Sequence, residues 1–153
     1  MYAVIRVRGL IDIRPDIKKT MQLMRITRTN HCAILPETPS SKGMLQMVKD
    51  YTTWGEISPE TLTKMLKTHG RLVGDKPLTE EYLASSTSFK TIEALSKALM
   101  DNSFVYKDIP EVKPLFRLHP PRKGYEGVKR SYQRGGALGY RGKDINALIE
   151  RML

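Results

Sequence analysis

The chain is poor in the residues that build metal centres and disulfides. Its 153 residues include one cysteine and three histidines. The histidines at positions 31, 69 and 119 are too far apart in sequence to have the spacing of metal ligands, so we expect no metal and no cofactor. The lone Cys32 excludes an internal disulfide framework and is typical of a reducing compartment. No apolar run approaches the roughly 20 residues of a membrane span. Because the N-terminus also lacks a signal-peptide pattern, the sequence predicts a cytoplasmic protein.

Catalytic motifs are missing or incomplete. Residues 135–139 are rich in glycine, but no Gly-Lys-Ser/Thr follows them, so a phosphate-binding loop is not predicted. Val7, Arg8 and Gly9 resemble the anion-binding loop of acylphosphatases. However, Asp12 would place negative charge beside the phosphate, and residues 34–41 contain no asparagine for catalysis. No stretch matches the aromatic-rich central motif of an RNA-recognition motif, and no GXXG clamp lies between predicted helices. We expect no enzymatic activity.

Positive charge is what the chain has in excess, with 26 Lys and Arg against 16 Asp and Glu. Residues 117–143 carry a net +7 of the total +10, contain Glu126 as their only acid, and hold six of the eleven glycines. Such a segment buries too little apolar surface to order itself, so we expect it to be mobile or ordered by a polyanion. A flexible linker and a patch for anionic membranes are alternatives, but tyrosines that could stack on bases favour nucleic acid. The candidate RNA-binding residues of this stretch are Arg117, His119, Arg122, Lys123, Tyr125, Lys129, Arg130, Tyr132, Arg134, Tyr140, Arg141 and Lys143.

The first part of the chain predicts a β-α-β-α-β unit. Alternating apolar residues indicate the first strand, Pro15 suits a first helical position, and Ser40 or Ser41 can cap the second helix. This pattern places the protein in the α+β class, with a two-layer, ferredoxin-like core and its helices stacked on one side of a small sheet. The predicted elements are strands over residues 2–8, 31–35 and 53–57, a helix from 15 to near 28, and a helix from about 40 to 51.

The first strand has two different faces. Ala3, Ile5 and Val7 point to one side, whereas Arg6 and Arg8 point to the other. If both helices cover the apolar side, the arginines face outward on a bare sheet surface that could bind RNA. Alternatively, later segments cover that surface, or the arginines are simply solvated.

The remainder predicts a mainly helical extension and a basic C-terminal part. Ser58, Pro59 and Glu60 are typical of a helix start, and Gly70 of a helix end. After the basic stretch, Asp144 can cap a last amphipathic helix whose apolar face docks onto the globule. The other predicted elements are a short helix from 79, a helix over 88–101, and extended pieces at 104–106 and 115–118. The predicted organisation is a core at 1–57, a helical extension at 58–116, and a basic segment with the C-terminal helix at 117–153.

Several motifs, in this order, resemble one ribosomal protein family. Together they are similar to the large-subunit protein called number thirty in bacteria and number seven in eukaryotes. The helical extension and basic C-terminal part, without the basic N-terminal arm of the eukaryotic form, resemble the archaeal form. The motifs are YAVIRVRG at 2–9, LMRITR at 23–28, TNH at 29–31, PSSKGM at 39–44, WG at 54–55, GDKPLT at 74–79, LHPPRKG at 118–124 and DINALI at 144–149.

This resemblance implies a structural constituent of the large ribosomal subunit that binds its rRNA, lies beside other ribosomal proteins and has no small-molecule substrate or membrane partner. We do not expect it to form homo-oligomers. The alternative function is a free RNA chaperone or regulator outside the ribosome. A lysine and free amides at a helix start also suit a phosphate. The resemblance adds six RNA-binding candidates to Arg6 and Arg8: Arg25, Arg28, Asn30, His31, Ser41 and Lys42.

Overall fold

The N-terminal third of the protein forms the expected β-α-β-α-β unit. A computed structural model describes all 153 residues. Pro15 begins the first helix, and the side chain of Thr38 caps the second by accepting a hydrogen bond from the Ser41 amide at 3.1 Å. The expectation that Ser40 or Ser41 provides this cap is therefore wrong. The elements are β1 (Tyr2–Arg6), α1 (Pro15–Leu23), β2 (His31–Leu35), α2 (Pro39–Met47) and β3 (Thr52–Glu56).

The sheet extends beyond these three strands. β1 lies between β2 and β3 and is antiparallel to both. Three strands from the C-terminal part complete a six-stranded sheet in the order β4-β2-β1-β3-β6-β5. β6 pairs in parallel with β3, matching Thr53 to Gly139 and Trp54 to Tyr140. The new strands are β4 (Phe116–Arg117), β5 (Gly127–Ser131) and β6 (Gly136–Tyr140).

The two helices of the core cover the face of β1 that carries Tyr2 and Val4. Both side chains are buried with residues of α1 and α2, including Met21 and Leu45. The condition for a bare basic surface, that both helices cover the Ala3 and Ile5 face, is therefore not met. Both faces of β1 are apolar at most positions, so alternation alone does not identify the helix-covered side.

Arg6 therefore does not face outward, because it is only 2% exposed. Its Nε donates to the Arg8 carbonyl at 2.8 Å, and its Nη1 donates to the carbonyls of Ile26 and Thr27 in the chain between α1 and β2. Burial also lowers the pKa of this guanidinium. Arg6 fastens the connection between α1 and β2 to the end of β1.

The helical extension covers the opposite face of the sheet. Its helices are α3 (Pro59–His69), α4 (Glu80–Ser86) and α5 (Ile92–Met100). They enclose Ala3 and Ile5 in the larger apolar core, together with the last helix, α6 (Ile145–Met152). As expected, Ser58 caps α3 and Gly70 ends it. α5 is shorter than the predicted 88–101, because Thr91 caps it by accepting from the Ala94 amide.

The C-terminal part is held by the sheet rather than extended over the surface. Ala137 and Leu138 of β6 are buried with Val7, and α6 packs its apolar residues into the main core. A side chain at Gly136 would place its Cβ 2.2 Å from the Arg130 carbonyl oxygen, so glycine is needed where β5 and β6 meet. The expectation that this basic stretch cannot order itself is wrong. None of the six helices has the length and apolarity to cross a membrane.

Candidate nucleic-acid interface

The connectivity of the sheet gathers basic residues at one of its ends. β1 ends there, leading to Arg8, and β2 begins there, preceded by Arg28. β4, antiparallel to β2, ends on the same side and is followed by the loop with Arg122 and Lys123. Arg134 comes just before β6, which is parallel to β3 and begins at this end. We call these five cations the basic end.

Cations of the basic end and of the neighbouring edge strand lack acidic partners. Every residue of β5 is exposed, including Lys129 and Arg130. Arg122, Lys123 and Arg134 are exposed as well. The protein has eight ion pairs, and no ion pair or side-chain hydrogen bond involves Arg122, Lys123, Lys129, Arg130 or Arg134. Their charge is available to an external polyanion.

Arg141, also predicted to bind RNA, is instead buried. Its Nε donates to the Thr53 hydroxyl at 2.9 Å and its Nη2 to the Ala137 carbonyl at 3.0 Å. Its guanidinium lies over the Tyr132 ring at 4.6 Å and 3.9 Å from a Glu126 carboxylate oxygen. Burial lowers the pKa of Arg141, while the Glu126 charge opposes that shift. Arg141 ties the β6–α6 connection to β3.

Glu126 has a structural role that the sequence indicates only through an isolated negative charge. Its carboxylate receives a hydrogen bond from Arg151 at 2.9 Å and also faces Arg141. Arg151 in turn donates to the carbonyls of Arg122 and Gly124. The only acid of the basic stretch therefore fixes the loop that carries Arg122 and Lys123. Its isolation among cations was the available signal.

The three tyrosines of the stretch have different surroundings. Tyr125 is partly buried, its pKa is raised by burial, and its hydroxyl donates to Asn30 Oδ1 at 2.7 Å. Tyr132 donates to the Asp144 carboxylate at 2.6 Å, so Asp144 does not cap α6 as predicted. Only Tyr140 is exposed; a hydrogen bond to Glu56 raises its pKa to about 12.

The predicted edge around His31 is divided between exposed and buried groups. Arg25 and Arg28 are exposed and unpaired, whereas Asn30 accepts the Tyr125 hydrogen bond. His31 is buried, and its Nδ1 has no hydrogen-bond partner. Burial lowers the pKa of His31, and the charges of nearby arginines lower it further. Since both its burial and its lowered pKa disfavour the charged imidazole, His31 is poorly suited to supply charge to a phosphate.

Arg117 and His119 follow one another where β4 ends. Arg117 is exposed but lies 3.2 Å from the Asp75 carboxylate. Asp75 also accepts a hydrogen bond from Lys113, and this hydrogen bond is the largest cause that lowers the pKa of Asp75. His119 is exposed and packs edge-on against the His69 ring at 5.6 Å between centroids. An anion that approaches Arg117 must compete with Asp75.

Other predicted residues lie elsewhere. α2 follows β2, so Ser41 and Lys42 are at the end of the sheet opposite the basic end. Ser41 is buried, and its amide is occupied by the Thr38 cap. The Lys42 amide donates to the Thr38 carbonyl, so its exposed ammonium is what remains for a ligand. Lys143 is exposed just before α6 and is likewise unpaired.

Arg8 belongs to the basic end but is partly engaged. Its guanidinium lies over the Tyr51 ring at 5.2 Å, and its Nη1 donates to the Asp50 carbonyl at 3.2 Å. Neither partner carries a negative charge at that atom, so the charge of Arg8 is not neutralised. The stacked ring restricts the orientation of the guanidinium.

These features define an α+β protein whose C-terminal strands and loops present unpaired cations at one end and one edge of a sheet. The family profile described as Ribosomal protein L30p/L7e matches residues 2–52. The chain is 51% identical over 152 residues to Large ribosomal subunit protein uL30 of Methanocorpusculum labreanum, covering 99% of both chains. It is 47% identical to the proteins of the same name from Archaeoglobus fulgidus, covering 99% of both chains, and Methanosphaera stadtmanae, covering 100% of both.

With full-length identity at this level, the chain belongs to the ribosomal protein L30p/L7e family. The family resemblance found in its sequence motifs is thereby confirmed, as is the archaeal type.

Proposed function

We propose that this protein is a structural, non-enzymatic constituent of the large ribosomal subunit in the cytoplasm, where it binds large-subunit rRNA. The observation that carries the proposal is full-length identity of 45–51% to archaeal proteins named Large ribosomal subunit protein uL30. Its partners are the rRNA and the neighbouring ribosomal proteins. The unpaired cations at the basic end and on β5 support the proposal physically, since backbone phosphates dominate protein–nucleic acid affinity.

In this proposal the three parts of the chain have separate tasks. Residues 1–57 form the sheet platform, residues 58–116 cover one face of it, and residues 117–153 supply the main rRNA contacts. Because the cations sit on paired strands and a fixed loop, little ordering entropy is lost when phosphates bind. Neutralisation by phosphate also relieves repulsion among the exposed like charges.

The proposed contacts are the predicted residues whose polar groups remain accessible. Arg6 and Arg141 are excluded because their guanidinium groups are committed inside the protein. Five further candidates are not proposed as contacts, because none of them is exposed: Asn30, His31, Ser41, Tyr125 and Tyr132. All of these except His31 also form hydrogen bonds within the chain. The proposed rRNA contacts are Arg8, Arg28, Arg117, His119, Arg122, Lys123, Lys129, Arg130, Arg134 and Lys143, with Lys42 and Tyr140 as separate contacts. Arg25 is not included, because it lines an apolar cleft beside β2.

Sedimentation of a cell lysate tests the proposal against a free RNA chaperone. The protein is quantified across a sucrose gradient in low and moderate salt, with a known large-subunit protein as reference. We expect it to cosediment with the large subunit and to leave it at the same salt concentrations as other rRNA-bound proteins. Residence mainly in the free pool at low salt would favour the chaperone and reject the proposal.

A further inference from the structure

An apolar cleft lies beside β2, at the edge of the sheet away from β5. It has a volume of about 390 Å³, and ten of its fifteen lining residues are hydrophobic. Leu23, at the end of α1, and Val105, before the 3₁₀ turn at Tyr106–Asp108, are 69% and 46% exposed at this cleft. Large side chains exposed around one cavity are typical of an interaction surface.

The edge of β2 is open at this cleft. β4 pairs with only the first two residues of β2. The Leu118 amide donates to the Asn30 carbonyl at 3.2 Å. By alternation from that carbonyl, the N–H and C=O groups of Cys32 and Ile34 point toward the β4 side. In the same register Pro114 would lie opposite Ile34, and proline has no N–H to donate. The N–H and C=O of Ile34 therefore have no partner within the protein.

A second polar group at the cleft lacks a partner. Tyr106 lines the cavity and is 7% exposed, yet its hydroxyl makes no hydrogen bond. Its ring stacks on Phe116 at 5.3 Å, which holds the side chain in place. A buried hydroxyl without a partner is uncommon in folded proteins, and this one belongs to a residue that lines the cleft.

The positive charge around the cleft favours an occupant that carries a carboxylate over a second copy of this chain. Arg25 and Lys107 are the only charged residues that line it, and neither takes part in an ion pair. A second copy of this chain, with a net charge of +10, would be repelled. Unpaired strand groups suit a peptide backbone, apolar walls suit its side chains, and the two cations suit a carboxylate.

We propose that this cleft binds an extended segment of another large-subunit protein, which pairs with β2 at Ile34. The segment places an apolar side chain between Leu23 and Val105 and an Asp or Glu near Arg25 and Lys107. The inference rests on the proposed ribosomal function, because it takes the partner from the same subunit. It goes further by assigning a protein-docking surface at the sheet edge farthest from β5.

Photo-crosslinking at matched positions tests the docking surface. Cys32 is fully buried, so a cysteine introduced by Val105→Cys can be labelled selectively with benzophenone maleimide. Val128→Cys on β5 is the control, because Val128 has the same side chain and a similar exposure of 43%. Each labelled protein is incorporated into large subunits, its cosedimentation is measured, and the crosslinked products are identified after irradiation.

We expect position 105 to crosslink to one segment of another large-subunit protein and position 128 to rRNA. If the labelled chains enter the subunit but position 105 crosslinks only to rRNA, to a second copy or to nothing, docking is rejected while the ribosomal function stands. If neither labelled chain enters the subunit, the ribosomal function fails and the docking inference fails with it.

A synthetic peptide of the crosslinked segment then tests the binding mode by calorimetry. N-methylation of the peptide amide that faces Ile34 should weaken binding about tenfold, whereas N-methylation of an amide pointing away should have little effect. The double variant Arg25→Glu, Lys107→Glu should also lose about tenfold in affinity. Equal effects of the two N-methylations would overturn the pairing with β2.

Discussion

The unpaired cations should control the salt dependence of RNA binding without contributing to folding stability. The perturbation replaces five of them with glutamine, which keeps most of the aliphatic stem and removes the charge. None of the five makes an ion pair or a side-chain hydrogen bond, and all are exposed. The substitutions are Arg122→Gln, Lys123→Gln, Lys129→Gln, Arg130→Gln and Arg134→Gln.

The magnitude follows from counterion release. Each phosphate contact contributes roughly 0.7–0.9 to the slope of log affinity against log salt, so five contacts contribute about 3.5–4.5. At 1 M salt this contribution vanishes. At 0.15 M salt, the variant with all five substitutions should therefore bind about 10³-fold more weakly than the wild type. The free energy of unfolding should change by less than about 0.5 kcal/mol per site, because no intramolecular contact is lost.

The assay measures affinity for naked large-subunit rRNA by filter binding at several KCl concentrations, and stability by urea denaturation. The matched control removes the same charge from exposed, unpaired lysines outside the basic end and β5, and its slope should change by less than about one. Equal slopes for the two variants would refute the proposed interface. A large loss of stability in the first variant would show that these cations serve the fold. The control substitutions are Lys18→Gln, Lys19→Gln, Lys76→Gln, Lys90→Gln and Lys97→Gln.

Three further predictions concern the groups that hold the basic end and the sheet. Arg141→Met should lower the unfolding free energy by about 2–4 kcal/mol in urea denaturation, because it leaves buried hydrogen-bond partners unsatisfied; a neutral effect would contradict this role. Gly136→Ala should cost more than about 1 kcal/mol and speed amide exchange in β5, since the added Cβ meets the Arg130 carbonyl; wild-type exchange would contradict the close approach. Burial raises the pKa of Cys32 to about 12. Ellman's reagent reacts with the thiolate, so the native protein should not react with it at pH 8 until urea unfolds the chain.

Local sequence predicted the starts of elements better than their ends, since α1 ends at Leu23 rather than near residue 28 and α2 ends at Met47 rather than at 51. β2 has the predicted bounds, Pro15 begins α1, and Ser58 and Gly70 delimit α3. Each of these signals needs only its immediate neighbours: a fixed proline φ angle, a side chain that accepts from an amide three residues later, or a glycine at a helix end. The second cap was assigned to the wrong residue because Thr38 precedes two serines that could serve equally.

Features that depend on distant partners were not predicted. β6 contains two glycines and no clear alternation, so its pairing with β3, over 80 residues earlier, has no local signal. The burial of Arg141 depends on Thr53 from the same distant strand. Among the candidate residues, sequence separates basic from acidic groups, but only the fold separates Arg130, which is exposed, from Arg141, which is committed inside.

The division of the arginines explains how a segment of net +7 packs against its own protein. Arg141 and Arg151 share Glu126, and together these three residues fix the loop and strand that carry the remaining cations. The acids in the other ion pairs contact other cations. No acid of the protein therefore neutralises the exposed cations Arg122, Lys123, Lys129, Arg130 and Arg134. Mobile ions in solution weaken the repulsion among the exposed charges, and an external polyanion relieves it further when it binds. Arg141 and Arg151 hold the segment in place, and the exposed cations remain available to bind RNA.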